Sequence, residues 1–453
     1  MRKIAGVRGL GAAKDIFMFR GAPEGHEGLI KKDKGLALRG SESEEEMKKY
    51  FRCSGNVFLF FGLMLLVCST LGTKTASAEP GITKDQILVG AYLAYSSPAA
   101  SGSTHIEVGV MSYLNAINEM GGIHGRKIKW KGEDDGYQPS KTLAVCKKLV
   151  EQDKVFAILA PTGIPTTLAA LPYLTSQNVP LLFPFAPIMP LEVPVKRNVF
   201  LITPSVERQY YAIVDYAILK LGAKKIAIIS QAGPSGPVDH MLYRLKESGL
   251  TLVGNVEEYK IGQTDFSAIV AKFKQLNPDF CVLGAIPVAA SLVLKEAQKQ
   301  GWKPPLGFMS HTVMYDAEFL RLAGSAAEGF RTFQSMKSPT DSMDPEVVEF
   351  RERIEKVYPK KYTPTPLMMY GYISAKIFCE AMKKAGPEPT REKLITAIES
   401  MTKIDIGFMG PLGFSPTQHQ GCLLVRVNQV EKGKYAPVSE WLPLPEKLPP
   451  MGK

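Results

Sequence analysis

Catalytic vocabulary is missing from this chain. No G-x-S-x-G, Walker A or H-E-x-x-H pattern occurs in its 453 residues, which removes the nucleophile elbow, the phosphate loop and the zincin site as readings. Histidine and cysteine are scarce, six of each. They are scattered, without C-x-x-C and without metal-ligand spacing. No Lys/Arg cluster interleaves with aromatics, so a nucleic-acid face is not expected. The apolar run Val57–Cys68 has 12 residues, too few for a membrane span, which needs about 20. An enzyme is therefore not expected, and neither a cofactor nor a metal is called for.

What is present begins with that short apolar run. Met47 opens a basic stretch with Lys48, Lys49 and Arg52, the run follows, and Ala76-Ser77-Ala78 stands before Glu79. Basic region, apolar region and Ala-x-Ala site make a secretory signal peptide over 47–78. The mature chain is expected to start at Glu79 and to be periplasmic. Cys68 keeps a lipid anchor as the alternative, although Val67 before it is larger than the small residue such a site prefers. Residues 1–46 carry glycines, mixed charges and the acidic run Glu44–Glu46. They read as an upstream start assignment or a disordered extension.

From Glu79 onward 375 residues remain, enough for two domains. Their 42 basic and 36 acidic residues leave a mild +6, spread along the chain as solvated surface charge. Four cysteines remain: Cys146, Cys281, Cys379 and Cys422. One disulfide or four buried thiols both fit an exported protein.

Strand and helix patterns alternate through this region. Strands are expected at Ile87–Leu93, Lys127–Trp130, Val155–Ala160 and Val179–Phe183. The helix with Ile106, Val110, Leu114 and Ile117 has three-to-four spacing, and Gly121-Gly122 ends it. Further helices are expected at Lys141–Glu151 and Thr166–Ser176. After Thr203-Pro204 a second series runs through helix Glu207–Leu221, strand Lys225–Ser230, helix Val238–Glu247, strand Leu252–Glu257, helix Phe266–Leu276, strand Phe280–Leu283, helix Val288–Gln300 and strand Leu306–Ser310. Helices Pro345–Val357 and Leu367–Lys384 complete the first unit if the chain crosses back. The tail from Ile404 reads as short strands and turns. Alternation of this kind predicts an α/β protein with mainly parallel sheets, whose ligands sit at the carboxyl ends of the strands.

Several of these residues resemble a known family. Asn118-Glu119-Met120-Gly121-Gly122-Ile123-His124-Gly125-Arg126 resembles the N-x-x-G-G-I-x-G-R turn of periplasmic solute-binding proteins of the branched-chain amino acid (Leu/Ile/Val-binding protein-like) ABC transporter family. Asp134-Asp135, Pro161-Thr162-Gly163, Pro180 to Pro184, Tyr370-Gly371-Tyr372 and Gly410-Pro411-Leu412-Gly413-Phe414 resemble further segments of it. The resemblance covers 79–445. It implies a type I periplasmic-binding fold, two Rossmann-like lobes joined by a three-crossing hinge. Lobe 1 is expected over 79–203 and 336–413, and lobe 2 over 204–335 and 414–453. The crossings fall near Thr203, Phe333–Ser335 and Gly413–Ser415.

The loop after the third strand precedes a helix with Pro165 in its first turn, a position where the missing N–H is not needed. Backbone N–H groups from Gly163 to Thr166, with the Thr162 hydroxyl, would hold a carboxylate at that helix end; the bland alternative is a plain cap. In the next loop, Phe183-Pro184-Phe185-Ala186, one aromatic is expected at the cleft, and Phe185, farther into the loop, is the choice. In the second lobe the resemblance points to Ser235, Ile286, His311 and Thr312. The family often carries an aromatic near Ser235 and an acid near His311-Thr312 that binds an α-ammonium group. This chain has neither, so the expected solute lacks that group, unless an unassigned carboxylate such as Asp239 or Asp316 supplies it. The implied function is a monomeric component that captures a small organic solute (carboxylate, aromatic acid, amide or amino acid) for the permease subunits of an ABC uptake system in the inner membrane. A ligand sensor of the same fold, signalling through a partner, is the alternative.

Overall fold

The computed structural model describes residues 79–97, 99–232, 236–340 and 342–448. The expected signal segment, Cys68 and Ser235 lie outside them. A strand buried on both faces belongs inside a parallel sheet, and β1 (Gln86–Leu93) is almost entirely buried. It pairs in parallel with β2 (Lys127–Asp134) and β3 (Ala157–Leu159). Strands β4 (Leu181–Leu182) and β5 (Val199–Phe200) extend the sheet, whose order is β2-β1-β3-β4-β5. Crossovers run through α1 (Ala100–Glu119), α2 (Pro139–Lys147) with a following π-turn at Lys148–Gln152, α3 (Ile164–Ser176) and the short α4 (Met189–Glu192).

A second series then begins with α5 (Val206–Leu219), β6 (Ile226–Gln231), α6 (Gly236–Glu247), β7 (Glu257–Tyr259), α7 (Ser267–Leu276) and β8 (Phe280–Gly284). It continues through α8 (Pro287–Lys299), β9 (Phe308–Ser310), α9 (Ala317–Ala323) and β10 (Arg331–Gln334). Three helices follow, α10 (Pro345–Val357), α11 (Pro366–Ala385) and α12 (Arg391–Glu399), and a closing hairpin, β11 (Leu424–Glu431) and β12 (Lys434–Pro443). The second sheet has the order β12-β11-β10-β9-β8-β6-β7, antiparallel only at β10-β11-β12. The two series are those the alternation predicts.

The late helices return to the first sheet through glycine. A Cβ on Gly109 of α1 would lie 1.8 Å from the Met368 carbonyl oxygen, and one on Gly371 of α11 would lie 2.1 Å from that of Ile106. Two glycines thus let α1 and α11 touch backbone to backbone, around a core holding Ile106, Tyr370 and Phe378. All four described cysteines are free and buried, the thiol alternative.

Three differences from the sequence reading have physical causes. The strand expected at Leu252–Glu257 forms only at Glu257–Tyr259. Leu252 and Val256 instead pack on the core as part of a loop that turns at Gly254, φ 73°. The tail is a hairpin of 8- and 10-residue strands, because β11 finds β10 as an antiparallel partner. Residues 414–422, expected in the second lobe, pack with the first sheet. The Phe414 ring meets Phe183 and Phe200. The Leu201 N–H donates to the His419 carbonyl at 2.9 Å, and Gly421 and Cys422 donate to Leu201 and Ile202.

Candidate ligand-binding cleft

The loops at the carboxyl ends of the strands form two sets, a first wall on one sheet and a second wall on the other. In the first, β3 and β4 are each followed by a non-glycine residue with left-handed backbone, Ala160 (φ 52°) and Phe183 (φ 55°). Such a conformation costs an L-residue about 1–2 kcal/mol and is held only where neighbours fix it. Here Ala160 donates its N–H to Leu182, and Phe183 donates to Phe200. The Tyr370 hydroxyl, on α11, donates to the Phe183 and Pro184 carbonyls at 3.2 and 3.0 Å. Phe183 is fully buried. Phe185 is half-buried, edge-on to Tyr370 at 5.0 Å.

The two loops are joined to each other. Thr162 and Phe185 form a parallel bridge. Phe185 donates to the Pro161 carbonyl at 2.8 Å, and Gly163 donates to the Phe185 carbonyl at 3.3 Å. The Gly163 N–H expected for a ligand carboxylate is thus already engaged. Thr162 is buried, with its hydroxyl 2.9 Å from that of Ser103, which also accepts the Ala94 N–H. Ala186 is enclosed in a hydrophobic cluster with Val199 and Leu201. The chain turns back at once there, Ile188 donating to the Ala186 carbonyl, so this side chain offers a ligand no surface.

Tyr137, beyond β2, is the residue sequence reasoning missed on this wall. It has φ 61°, and its ring lies on Gly163, where a Cβ would meet Cε2 at 2.6 Å. The Ile164 N–H at the start of α3 faces its phenol oxygen. The pair Asp134-Asp135 builds this corner. Asp135, fully buried, accepts the Tyr137 N–H at 2.8 Å and the Thr142 hydroxyl at 2.9 Å. Asp134 accepts from Lys141, Ser96 and Gly136. The Lys141 ammonium and those donors hold its carboxyl well below the usual carboxylate range. A tyrosine following Asp-Asp-Gly was the available signal.

On the second wall, Ile286 follows β8, is 39% exposed and donates its N–H to the Tyr259 hydroxyl. His311 follows β9. Its Nδ1 lies 3.1 Å from the Tyr210 hydroxyl and 3.2 Å from the Ser310 hydroxyl, and the latter donates to the Leu283 carbonyl. Burial lowers the His311 pKa to about 4, so the ring is neutral at physiological pH. Thr312 donates its N–H to the buried Gln209 side chain. Asp316 is occupied as the N-cap of α9, accepting from Glu318 at 2.6 Å. Among the described residues, no hydrogen bond joins Thr162, Gly163 or Phe185 to Ile286, His311 or Thr312, and no His/Cys/Asp/Glu group is placed to hold a metal. A cavity of about 350 Å³ beside Trp302, Phe308 and Phe330 opens at the amino ends of β9 and β10, away from both walls.

Two α/β sheets, the first of them completed by late helices, match a family of known architecture. The periplasmic binding protein family model covers residues 86–434. The chain belongs to that family. This binding protein is similar to Leu/Ile/Val-binding protein homolog 1 of Brucella suis, with 25% identity over 309 residues, 68% of this chain and 80% of that one. Its fold is similar to a branched chain amino acid ABC transporter from Thermus thermophilus with bound valine (21% identity, TM-score 0.71, 80% of this chain and 97% of that one). It is also similar to a fatty acid ABC transporter substrate-binding protein from Thermomonospora curvata (22% identity, TM-score 0.67, 81% and 95%). These are solute-binding proteins and not enzymes, and the type I periplasmic-binding fold is shared with them.

Proposed function

We propose that this chain is the extracytoplasmic solute-binding component of an ABC uptake system, and that its solute is a small organic acid without an α-ammonium group. Lobe 1 would comprise 79–203 with 336–422, and lobe 2 the intervening residues with the closing hairpin. Hinge bending between them would enclose the solute and present it to a permease. The observation that carries the ligand class is the state of the polar groups on the second wall. His311 is neutral, and the carboxylate next along its loop, Asp316, already caps a helix. Enclosing an ammonium group without a charged acceptor is costly.

The first wall supports an acid. The Ser103 oxygen accepts the Ala94 N–H, and with Ser103 as donor of the bond it shares with Thr162 its proton lies on Thr162. The Thr162 proton is then free for a ligand oxygen, and Phe185 supplies an apolar flank. The same fold holds valine in one relative and belongs to a fatty acid transporter in another, so the walls set the choice. Calorimetry with matched pairs tests the reading: leucine against 4-methylpentanoate, and phenylalanine against 3-phenylpropanoate. The acids are expected to bind more tightly in both pairs. Tighter binding of the two amino acids would refute the ligand class.

A further inference from the structure

We propose that Tyr137, set in place by Asp135, is the residue that selects flat, unsaturated rings over saturated ones; this rests on the organic-acid reading above. Four observations converge on it. Tyr137 holds left-handed backbone, φ 61°, which a bulky residue rarely adopts without support. Its N–H is fixed by Asp135, a carboxylate with no exposed surface whose other oxygen is anchored by Thr142. Burying a carboxylate is costly, so this anchorage serves something the loop cannot supply by itself. Against it on the next loop stands Gly163, φ 102°, and the ring occupies the space that residue's side chain would fill. Yet the residue is 39% exposed, just beyond the carboxyl end of β2. A strained, anchored and half-exposed phenol is the arrangement of a ligand-contacting group, because strain of this kind collects at ligand clamps.

The chemistry follows from the ring's surroundings. With one side of Tyr137 against Gly163 and part of it open, a ligand ring meets it by offset or edge-to-face contact. Such aromatic pairs are favoured beyond the area they bury. Phe185, whose carbonyl accepts the Gly163 N–H, stands on the adjoining loop with its ring edge-on to Tyr370. A saturated ring of equal size keeps the buried area and loses the aromatic contact.

Benzoate and cyclohexanecarboxylate are the probes, because they share charge and size and differ in planarity. Calorimetry on the wild-type protein is expected to show benzoate binding at least about tenfold more tightly, an aromatic contact of about 1.4 kcal/mol by the usual conversion. Tyr137→Phe is expected to keep the ratio. Tyr137→Leu, which retains bulk, is expected to bring the two acids within about twofold, as is Tyr137→Ala. Thermal melting of each variant shows whether it remains folded. A ratio unchanged in the folded Tyr137→Leu protein would overturn the role of Tyr137 while leaving the organic-acid reading standing. A wild-type protein that binds neither acid, or binds both alike, would overturn the selection of flat rings, while the organic-acid reading stands or falls with the matched pairs above.

Discussion

Glu207, in the first turn of α5, is a carboxyl group almost without solvent, and its charge state follows from that position. Burial pushes its pKa up to about 7, with Glu192 adding to the rise. The Met189 N–H, 3.1 Å away, and Arg208 oppose it. The folded protein therefore holds this proton more tightly than the unfolded chain, whose carboxyl titrates near 4.5. Stability falls as pH rises from about 4.5 to 7, and the ionised group then costs about 3 kcal/mol. Glu207→Gln is expected to remove that slope, with little gain at pH 5 and a clear gain at pH 8. Urea midpoints measured across that range check it, and parallel curves for the two proteins would contradict the assignment. At this scale the sequence was partly legible. Two residues apart, Phe183 and Phe185 would share a face of an extended strand, and it is the left-handed backbone at Phe183 that separates the buried ring from the half-buried one. Nothing in periodicity reveals that Gly163 donates to Phe185, or that Tyr137 adopts a left-handed conformation, because both depend on loops brought together by distant strands.

The α1–α11 contact is the element that joins early and late parts of the chain. Gly109 and Gly371 sit against carbonyl oxygens of the opposite helix, where no flexible side chain can yield. Gly109→Ala or Gly371→Ala is expected to push the helices apart and to cost about 1–3 kcal/mol each, seen as a lower melting temperature. A variant that melts like the wild type would show that the helices separate freely. Periodicity locates these helices well: the expected Pro345–Val357 is the observed α10, and Leu367–Lys384 lies one residue inside each end of α11. It missed α12, although Thr390 caps it through the Lys393 N–H and Leu394, Ile395 and Ile398 give its buried face. A nine-residue helix offers little more than two turns of pattern. The hairpin β11-β12 was underrated for a different reason, since its length depends on β10, about ninety residues earlier.

Across the whole molecule, the segments near Leu201, Gln334 and Gln420 carry the chain between the sheets, and polar side chains hold them. Gln420 donates to the Ile202 and Cys422 carbonyls. Gln334 accepts from Arg426 and Asn428. Beside the first segment, Arg208 and Glu192 form a buried ion pair at 2.7 Å, with Glu192 also accepting the Ser205 N–H. Hinge closure is expected to turn about these segments and leave both sheets intact, since each has its own core. Small-angle X-ray scattering during a ligand titration tests closure and ligand class together. Saturating 3-phenylpropanoate is expected to reduce the radius of gyration, and phenylalanine at the same concentration is expected to leave it unchanged. Compaction by phenylalanine with none by the acid would contradict the account.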